Sequence, residues 1–486
     1  MRRPPVMPER TIHLVSLGCP KNRVDSEVML GVALGAGFRH VPDPAEAEVI
    51  VVNTCGFIDS AKKESVDTIL ELAQHKESGA CQTLVVTGCL SQHHPEELAR
   101  ELPEVDYLLG SSDMLRLGQV LKGEAPRLSV GNPSDWVIRA SDPRTLSTRG
   151  ASAYVKLAEG CNRSCAFCVI PQLRGKQRSR PGDDIVTEVE HLVSQGVLEV
   201  NLISQDTIAY GRDRDEKTKL ADVVARIADV PGIQWVRLHY LYPETLTDEL
   251  VDLLTGHPRV LPYVDMPLQH VSDKMLRRMK RGHGGKRLYS LIEQLRKRVE
   301  NLVFRTAFIV GHPGEGSQEF EELKQFVTWA EFDRLGVFRY SDEATAASYA
   351  QDEKVPVRTA EARARQLMSL QKRISKKKNR QLVGRELDVL VEGASEESEL
   401  VMVGRHSGQA PEIDGTVYLS GDVGPAGKIV RAKVVSCTDY DLMAEVPEQP
   451  SPAQSAEEPT AALPRRSAPS ATKRPSAQQP RRLRVV

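Results

Sequence analysis

Between residues 153 and 341 the chain repeats one unit, a short apolar run followed by a stretch of helical spacing, at least six times. The runs at 154–158, 200–204, 236–240, 263–268, 305–311 and 335–340 are predicted strands. Strands separated by helices pair in parallel, because only a crossover of a dozen or more residues returns the chain in the same direction. This many β/α units predicts a complete or partial barrel, with active groups on the loops after the strands.

The flanking regions read differently. Runs at 12–17, 49–53 and 84–87 are β-branched and strand-like, and helical segments at 26–35, 60–74 and 95–102 lie between and after them, which implies a parallel α/β sheet. From about 114 to 150 the signal fades into Pro, Ser and Arg. A helix rich in Ala, Arg and Lys is predicted at about 359–379. After it, Val-rich runs at 387–391, 400–403, 416–419 and 429–435 alternate with Gly-containing turns, as in a small antiparallel β-barrel. The predicted division is an N-terminal α/β domain at 11–125, a linker at 126–150, the barrel with its trailing helix at 151–378, the β-barrel at 379–446 and a disordered basic tail at 447–486. A length of 486 residues suits about three cores.

Composition excludes several classes. The chain is 40% hydrophobic with mean hydropathy −0.35, and no apolar run reaches membrane-spanning length, so no membrane partner is expected. The first ten residues are basic and proline-containing but no apolar core follows, which argues against a secretory signal and for the cytoplasm. The 65 Lys and Arg against 66 Asp and Glu conceal local asymmetry: residues 372–385 carry seven basic residues and no acid.

Eight cysteines are too few for a disulfide scaffold of this length. Glu159-Gly160-Cys161-Asn162-Arg163-Ser164-Cys165-Ala166-Phe167-Cys168 follows a predicted strand. Three thiolates at this spacing wrap one corner of a cuboidal iron-sulfur cluster and leave one iron open for an exogenous ligand. A zinc knuckle or three incidental buried cysteines are the alternatives, although zinc sites usually close with a fourth Cys or His. Cys19, Cys55 and Cys89 each follow one of the three N-terminal strands. In a parallel sheet those strand ends share one edge, so the three thiols meet in a second site or are small buried residues in register. Cys81 and Cys437 fit neither set.

With these residues placed, the chain from about 11 to 446 resembles the methylthiotransferase branch of the radical S-adenosylmethionine enzymes. That family joins an N-terminal methylthiotransferase domain, a radical barrel and a C-terminal TRAM β-barrel. The wording Ser16-Leu17-Gly18-Cys19-Pro20-Lys21-Asn22, Asn53-Thr54-Cys55-Gly56-Phe57-Ile58 and Ser204-Gln205-Asp206-Thr207 is similar to the ribosomal-protein branch. The branch acting on isopentenylated adenosine in tRNA has Gln-Met-Asn after its first Cys. One departure is His312 in Val310-Gly311-His312-Pro313-Gly314-Glu315, where Phe is expected.

The resemblance implies two 4Fe-4S clusters, a radical one on Cys161, Cys165 and Cys168 and an auxiliary one on Cys19, Cys55 and Cys89. It implies two S-adenosylmethionine molecules, one cleaved reductively to a 5'-deoxyadenosyl radical and one supplying the methyl group, with the sulfur supplied or relayed by the auxiliary cluster and no protein acid or base needed at the target carbon. The implied reaction is methylthiolation of the β-carbon of an aspartate in small-subunit ribosomal protein S-twelve, free or assembled. An electron donor such as flavodoxin and a contact with ribosomal RNA go with it. The rivals are a tRNA isopentenyladenosine methylthiotransferase and a nonenzymatic zinc-dependent RNA-binding protein.

Supporting residues are two-sided at this level. Phe167 either faces the adenine or packs. Gly311 and Gly314 either let backbone approach the cofactor or make a tight turn. Gln205, Asp206, Gln269 and His270 at strand ends either contact cofactor or substrate or form a polar network. Arg174, Arg178 and Arg180 are expected in a solvated loop or against acids, and Lys376, Lys377, Lys378 and Arg380 on a solvated helix face or against ribosomal RNA.

Overall fold

The computed structural model describes residues 10–148, 150–215, 218–243 and 246–447; the predicted tail, apart from its first residue, lies outside them. The first sheet runs in space Arg39–His40, Thr11–Ser16, Val49–Thr54, Thr83–Gly88, Tyr107–Leu109, Leu128–Ser129, all parallel. Its centre, Val-Ile-Val-Val-Asn-Thr, is buried at every position, as a parallel strand covered on both faces requires.

Two sequence readings change here. The helix predicted at 26–35 spans Pro20–Gly35, with Pro at its first position. Its first turns bury Lys21, Asn22, Asp25 and Glu27, so no apolar stripe announces them. The predicted linker at 126–150 is also not a free connector. Leu128–Ser129 completes the first sheet, and Arg144 is buried in ion pairs with Glu27 (2.7 Å) and Glu188.

The six predicted central strands all form. In sequence order they are Ser152–Lys156, Glu199–Ile203, Trp235–Leu238, Val260–Asp265, Val303–Val310 and Arg334–Arg339, paired in parallel in that same spatial order. Among the described residues nothing pairs the two edge strands, so the barrel is partial. The trailing helix, Val357–Leu382, buries Ala360, Leu367 and Ile374, seven residues apart, on one face. Its basic run is paired with acids: Lys372 and Lys376 each reach Asp439 at 3.0 Å, Lys377 reaches Glu331 at 2.6 Å and Lys378 reaches Asp333 at 2.7 Å.

The C-terminal strands Glu386–Ala394, Met402–His406, Val417–Gly421, Ile429–Cys437 and Leu442–Val446 close a five-stranded barrel. Four pairings are antiparallel, but Val417–Gly421 and Leu442–Val446 run parallel, a departure from the fully antiparallel expectation. This domain reaches the beginnings of the central strands. Arg405 and Arg237 both clasp buried Glu199, at 2.6 and 3.0 Å, and Tyr263 Oη donates to Asp414 at 2.8 Å. Burial works against ionisation of Glu199, yet the two guanidiniums hold its carboxyl down at about 2.

Candidate active site

The cysteine loop after Ser152–Lys156 is stitched from both sides. Cys161 N–H donates to Gly175 O at 3.1 Å, and Ala166 N–H donates to Met279 O at 3.0 Å. Two donors aim at its sulfurs: Arg163 N–H lies 3.4 Å from Cys161 Sγ, and Arg281 Nη1 lies 3.4 Å from Cys165 Sγ. The guanidiniums of Arg163 and Arg281 also stack on the Tyr242 ring, at 3.8 and 4.1 Å from its centroid. Burial pushes the Cys161 thiol up to about 11 and the Cys168 thiol up to about 12. Ionisation of such thiols is favoured by metal coordination.

Cys19, Cys55 and Cys89 sit just past Thr11–Ser16, Val49–Thr54 and Thr83–Gly88, three strands that are neighbours in the sheet. Burial first, and then the proximity of Cys89 and Cys19, push the Cys55 thiol up to about 12. The loops close so tightly that side chains are excluded. A Cβ at Gly18, itself at φ +89°, would stand 2.8 Å from Cys55 Cβ, and one at Gly56 would stand 2.9 Å from the Cys89 backbone. Asn22 Nδ2 ties two of these loops, donating to Leu17 O and Thr54 O at 2.9 Å each. Arg174 Nε points at Cys89 Sγ from 3.4 Å.

Among the described residues no three His, Cys, Asp or Glu side chains converge closely enough to hold one metal ion. A cuboidal cluster instead spreads three thiolates over separate irons, and it is tuned by hydrogen bonds to the sulfurs. Both donor sets fit such a group: three thiols each, with Arg281 and Arg163 directed at one set and Arg174 at the other.

A buried charge network joins the two sets. Arg174 Nη1 meets Asp25 at 2.7 Å and Glu159 at 3.6 Å, and its other terminal nitrogen bonds Asn22. Lys156, fully buried, bridges Asp25 at 2.5 Å and Glu159 at 2.6 Å. Glu159 in turn accepts from Gln205 Nε2. Burial opposes its ionisation, but Lys156 and Arg174 hold the carboxyl well below the usual range. Beside this network burial pulls the Lys21 ammonium down to about 7, against the pull of Cys19, Asp265 and Glu159.

The other residues singled out in the sequence divide. Phe167 packs with Met275, Met279, Ile309 and Tyr340. Gln205 Oε1 and Asp206 Oδ1 are buried with no hydrogen-bond partner among the described residues, while Asp206 Oδ2 accepts from Arg163 at 2.6 Å. A Cβ at Gly311 would collide with Ala360 Cβ at 2.4 Å and one at Gly314 with Arg278 Nε at 2.4 Å, so the packing of this tight turn requires glycine at both positions. Gln269 takes φ +70° past the end of Val260–Asp265, and Tyr240, past the end of the preceding strand Trp235–Leu238, takes φ +58°. His270 Nδ1 accepts from Ser272 N–H at 3.0 Å, which leaves Nε2–H to donate to Glu315 at 3.3 Å. His312 keeps the aromatic role expected of Phe, edge-on to Tyr340 at 5.0 Å. Of the two readings for the arginines, Arg174 and Arg180 take the one against acids, both buried, and Arg178 donates to backbone carbonyls of Pro133 and Trp136.

Each of the three domains matches a known family. Residues 11–110 match the uncharacterized protein family UPF0004, 155–327 the radical SAM superfamily and 383–446 the TRAM domain. The chain is 67% identical, over 90% of its length and 91% of the relative's, to the ribosomal protein uS12 methylthiotransferase RimO of Sorangium cellulosum. The chain belongs to the RimO family of methylthiotransferases. The RimO of Myxococcus xanthus is 51% identical over 92% of this chain and 93% of its own. A solved structure of the radical S-adenosylmethionine methyltransferase TsrM from Kitasatospora setae, 16% identical, superposes with TM-score 0.50 over 68% of this chain and 73% of that one, a likeness of fold. As a RimO family member the chain is a radical-SAM methylthiotransferase enzyme.

Several members of the site were not singled out in the sequence. Asp25 and Lys156 are 131 residues apart and meet only when the two domains dock. Their signal was negative: polar residues on a helix and a strand that otherwise had to be buried.

Proposed function

We propose that this chain transfers a methylthio group to the β-carbon of an aspartate in ribosomal protein uS12, using two 4Fe-4S clusters and two S-adenosylmethionine molecules, one cleaved to the radical and one giving the methyl group. The observation that carries this reading is Arg174, whose guanidinium reaches Cys89 of one cysteine set and Glu159, two residues before Cys161 of the other. The names of the relatives support the choice of substrate.

Cys161, Cys165 and Cys168 would hold the radical cluster and Cys19, Cys55 and Cys89 the auxiliary one. When bound, the two clusters supply the electron that cleaves S-adenosylmethionine and the sulfur to be transferred. The chain's own residues prepare the ground. Arg281 and the Arg163 backbone stabilise the Cys165 and Cys161 thiolates. Gln205 and Asp206 each offer an unpartnered oxygen to a polar donor on the cofactor. Phe167, with Met275, Met279 and Ile309, gives the adenine an apolar wall, and the Gly311 to Gly314 turn borders it.

A protein loop suits this site better than a tRNA base. A base would need an open aromatic face. Tyr240 has Lys21 over its ring and Tyr242 has two guanidiniums on its own. The TRAM domain would help hold uS12, with ribosomal RNA near the trailing helix if the subunit is assembled, and a flavodoxin-class reductant would supply electrons in the cytoplasm. Reconstituted enzyme given uS12 and isopentenylated tRNA side by side should add mass to the protein only. Methylthiolated adenosine with unmodified uS12 would reverse the reading.

A further inference from the structure

Lys21 occupies the second position of the helix Pro20–Gly35, two residues after Cys19, and is 6% exposed. A cation there is opposed by the positive end of the helix dipole and by burial. Buried charges are normally paired. Among the described residues its ammonium makes no hydrogen bond and no ion pair; it faces the Tyr240 ring, 2.7 Å from the centroid.

The carboxylates nearby are already engaged. Asp25 holds Lys156 and Arg174, Glu159 holds Lys156, and Asp265 holds Arg305 at 2.8 Å. Tyr240 is itself fixed in the left-handed region, its N–H donating to Asp265 at 3.3 Å. Lys21 therefore stands where the ends of two parallel sheets meet, beside Cys19 on one and the end of Trp235–Leu238 on the other.

We propose that Lys21 receives the carboxylate of the substrate aspartate and is the residue that selects an acidic side chain over its amide. Among the described residues the ammonium has no ion-pair partner, and an incoming carboxylate completes the pair next to the cysteine set that would carry the sulfur. A point charge on a flexible stem suits this task, since it follows one carboxylate without demanding a fork geometry. The inference rests on the uS12 aspartate reading above.

The test compares binding of the reconstituted holoenzyme to uS12 and to uS12 with the modified aspartate replaced by asparagine. The wild type should favour the aspartate form about tenfold or more, as expected for a charge-assisted contact. Lys21→Met, close in volume, should bind both forms alike, and Lys21→Arg should keep part of the preference. Equal affinity of the wild type for the two forms overturns the proposal whether or not the variants fold. A Lys21→Met enzyme that retains the wild-type ratio, or that weakens both forms equally, overturns it too. Failure of the uS12 reading would appear separately, as no methylthiolation of uS12 by the wild type, and would remove this inference with it.

Discussion

The two cysteine sets solve one problem by opposite routes. Cys161, Cys165 and Cys168 come from a single loop, and their relative placement is local, pinned by backbone bonds to Gly175 and Met279. Cys19, Cys55 and Cys89 come from three strands, and their meeting depends on a whole sheet in correct register. A local site should tolerate strain elsewhere in the chain, whereas a dispersed site should register any loosening of its domain. Arg174 makes the contrast testable because it touches Cys89 directly and the other set only through Glu159.

The largest effect should come from the local set. Replacing Cys161, Cys165 and Cys168 by Ala should abolish reductive cleavage of S-adenosylmethionine and remove about half the iron. Iron analysis with product chromatography checks both, and an unchanged iron content would break the division into two sites. Next is Arg174→Ala, which leaves Asp25 and Glu159 short of a buried cation. A cost of about 3–5 kcal/mol is expected in denaturant unfolding, with spectroscopic loss of the auxiliary cluster ahead of the radical one. Equal loss from both sets would contradict the contrast.

Glu199 supplies a control at the opposite end of the central sheet. Its carboxyl lies at about 2 in the fold against an ordinary 4.5, so its stabilising effect is full above pH 4.5 and is lost as pH falls toward 2. This amounts to about 3 kcal/mol across that window. Glu199→Gln should destabilise the protein at neutral pH, the deficit should shrink toward pH 2, and the iron per folded chain should not change. The smallest effect belongs to Cys81, buried in the first domain's core away from both sets. Cys81→Ala should cost about 1 kcal/mol and leave iron content intact.

Much of this architecture was legible in the residues. Apolar, β-branched runs marked the six central strands, and the spacing of Cys161 to Cys168 marked its loop because that geometry needs no distant partner. That Cys19, Cys55 and Cys89 share one sheet edge was legible only through topology, from cysteines recurring just past successive strands. What stayed hidden was polar and long-range. The start of Pro20–Gly35 had no apolar stripe because its buried face meets Lys156 and Arg174 across a domain boundary. Arg174 and Arg180 stayed undecided between solvent and acids because their acids, Asp25, Asp184 and Glu188, are brought to them by folding. The edge strand Leu128–Ser129 is two residues long and is held in place by its neighbour, Tyr107–Leu109.

The most direct measurement is the product balance of the enzyme with Cys19, Cys55 and Cys89 all replaced by Ala, reconstituted with iron and sulfide and supplied with reductant, S-adenosylmethionine and uS12. If the two sets have separate tasks, 5'-deoxyadenosine still forms while uS12 gains no methylthio group. Methylthiolated uS12 from that variant would contradict the division of labour between the two cysteine sets.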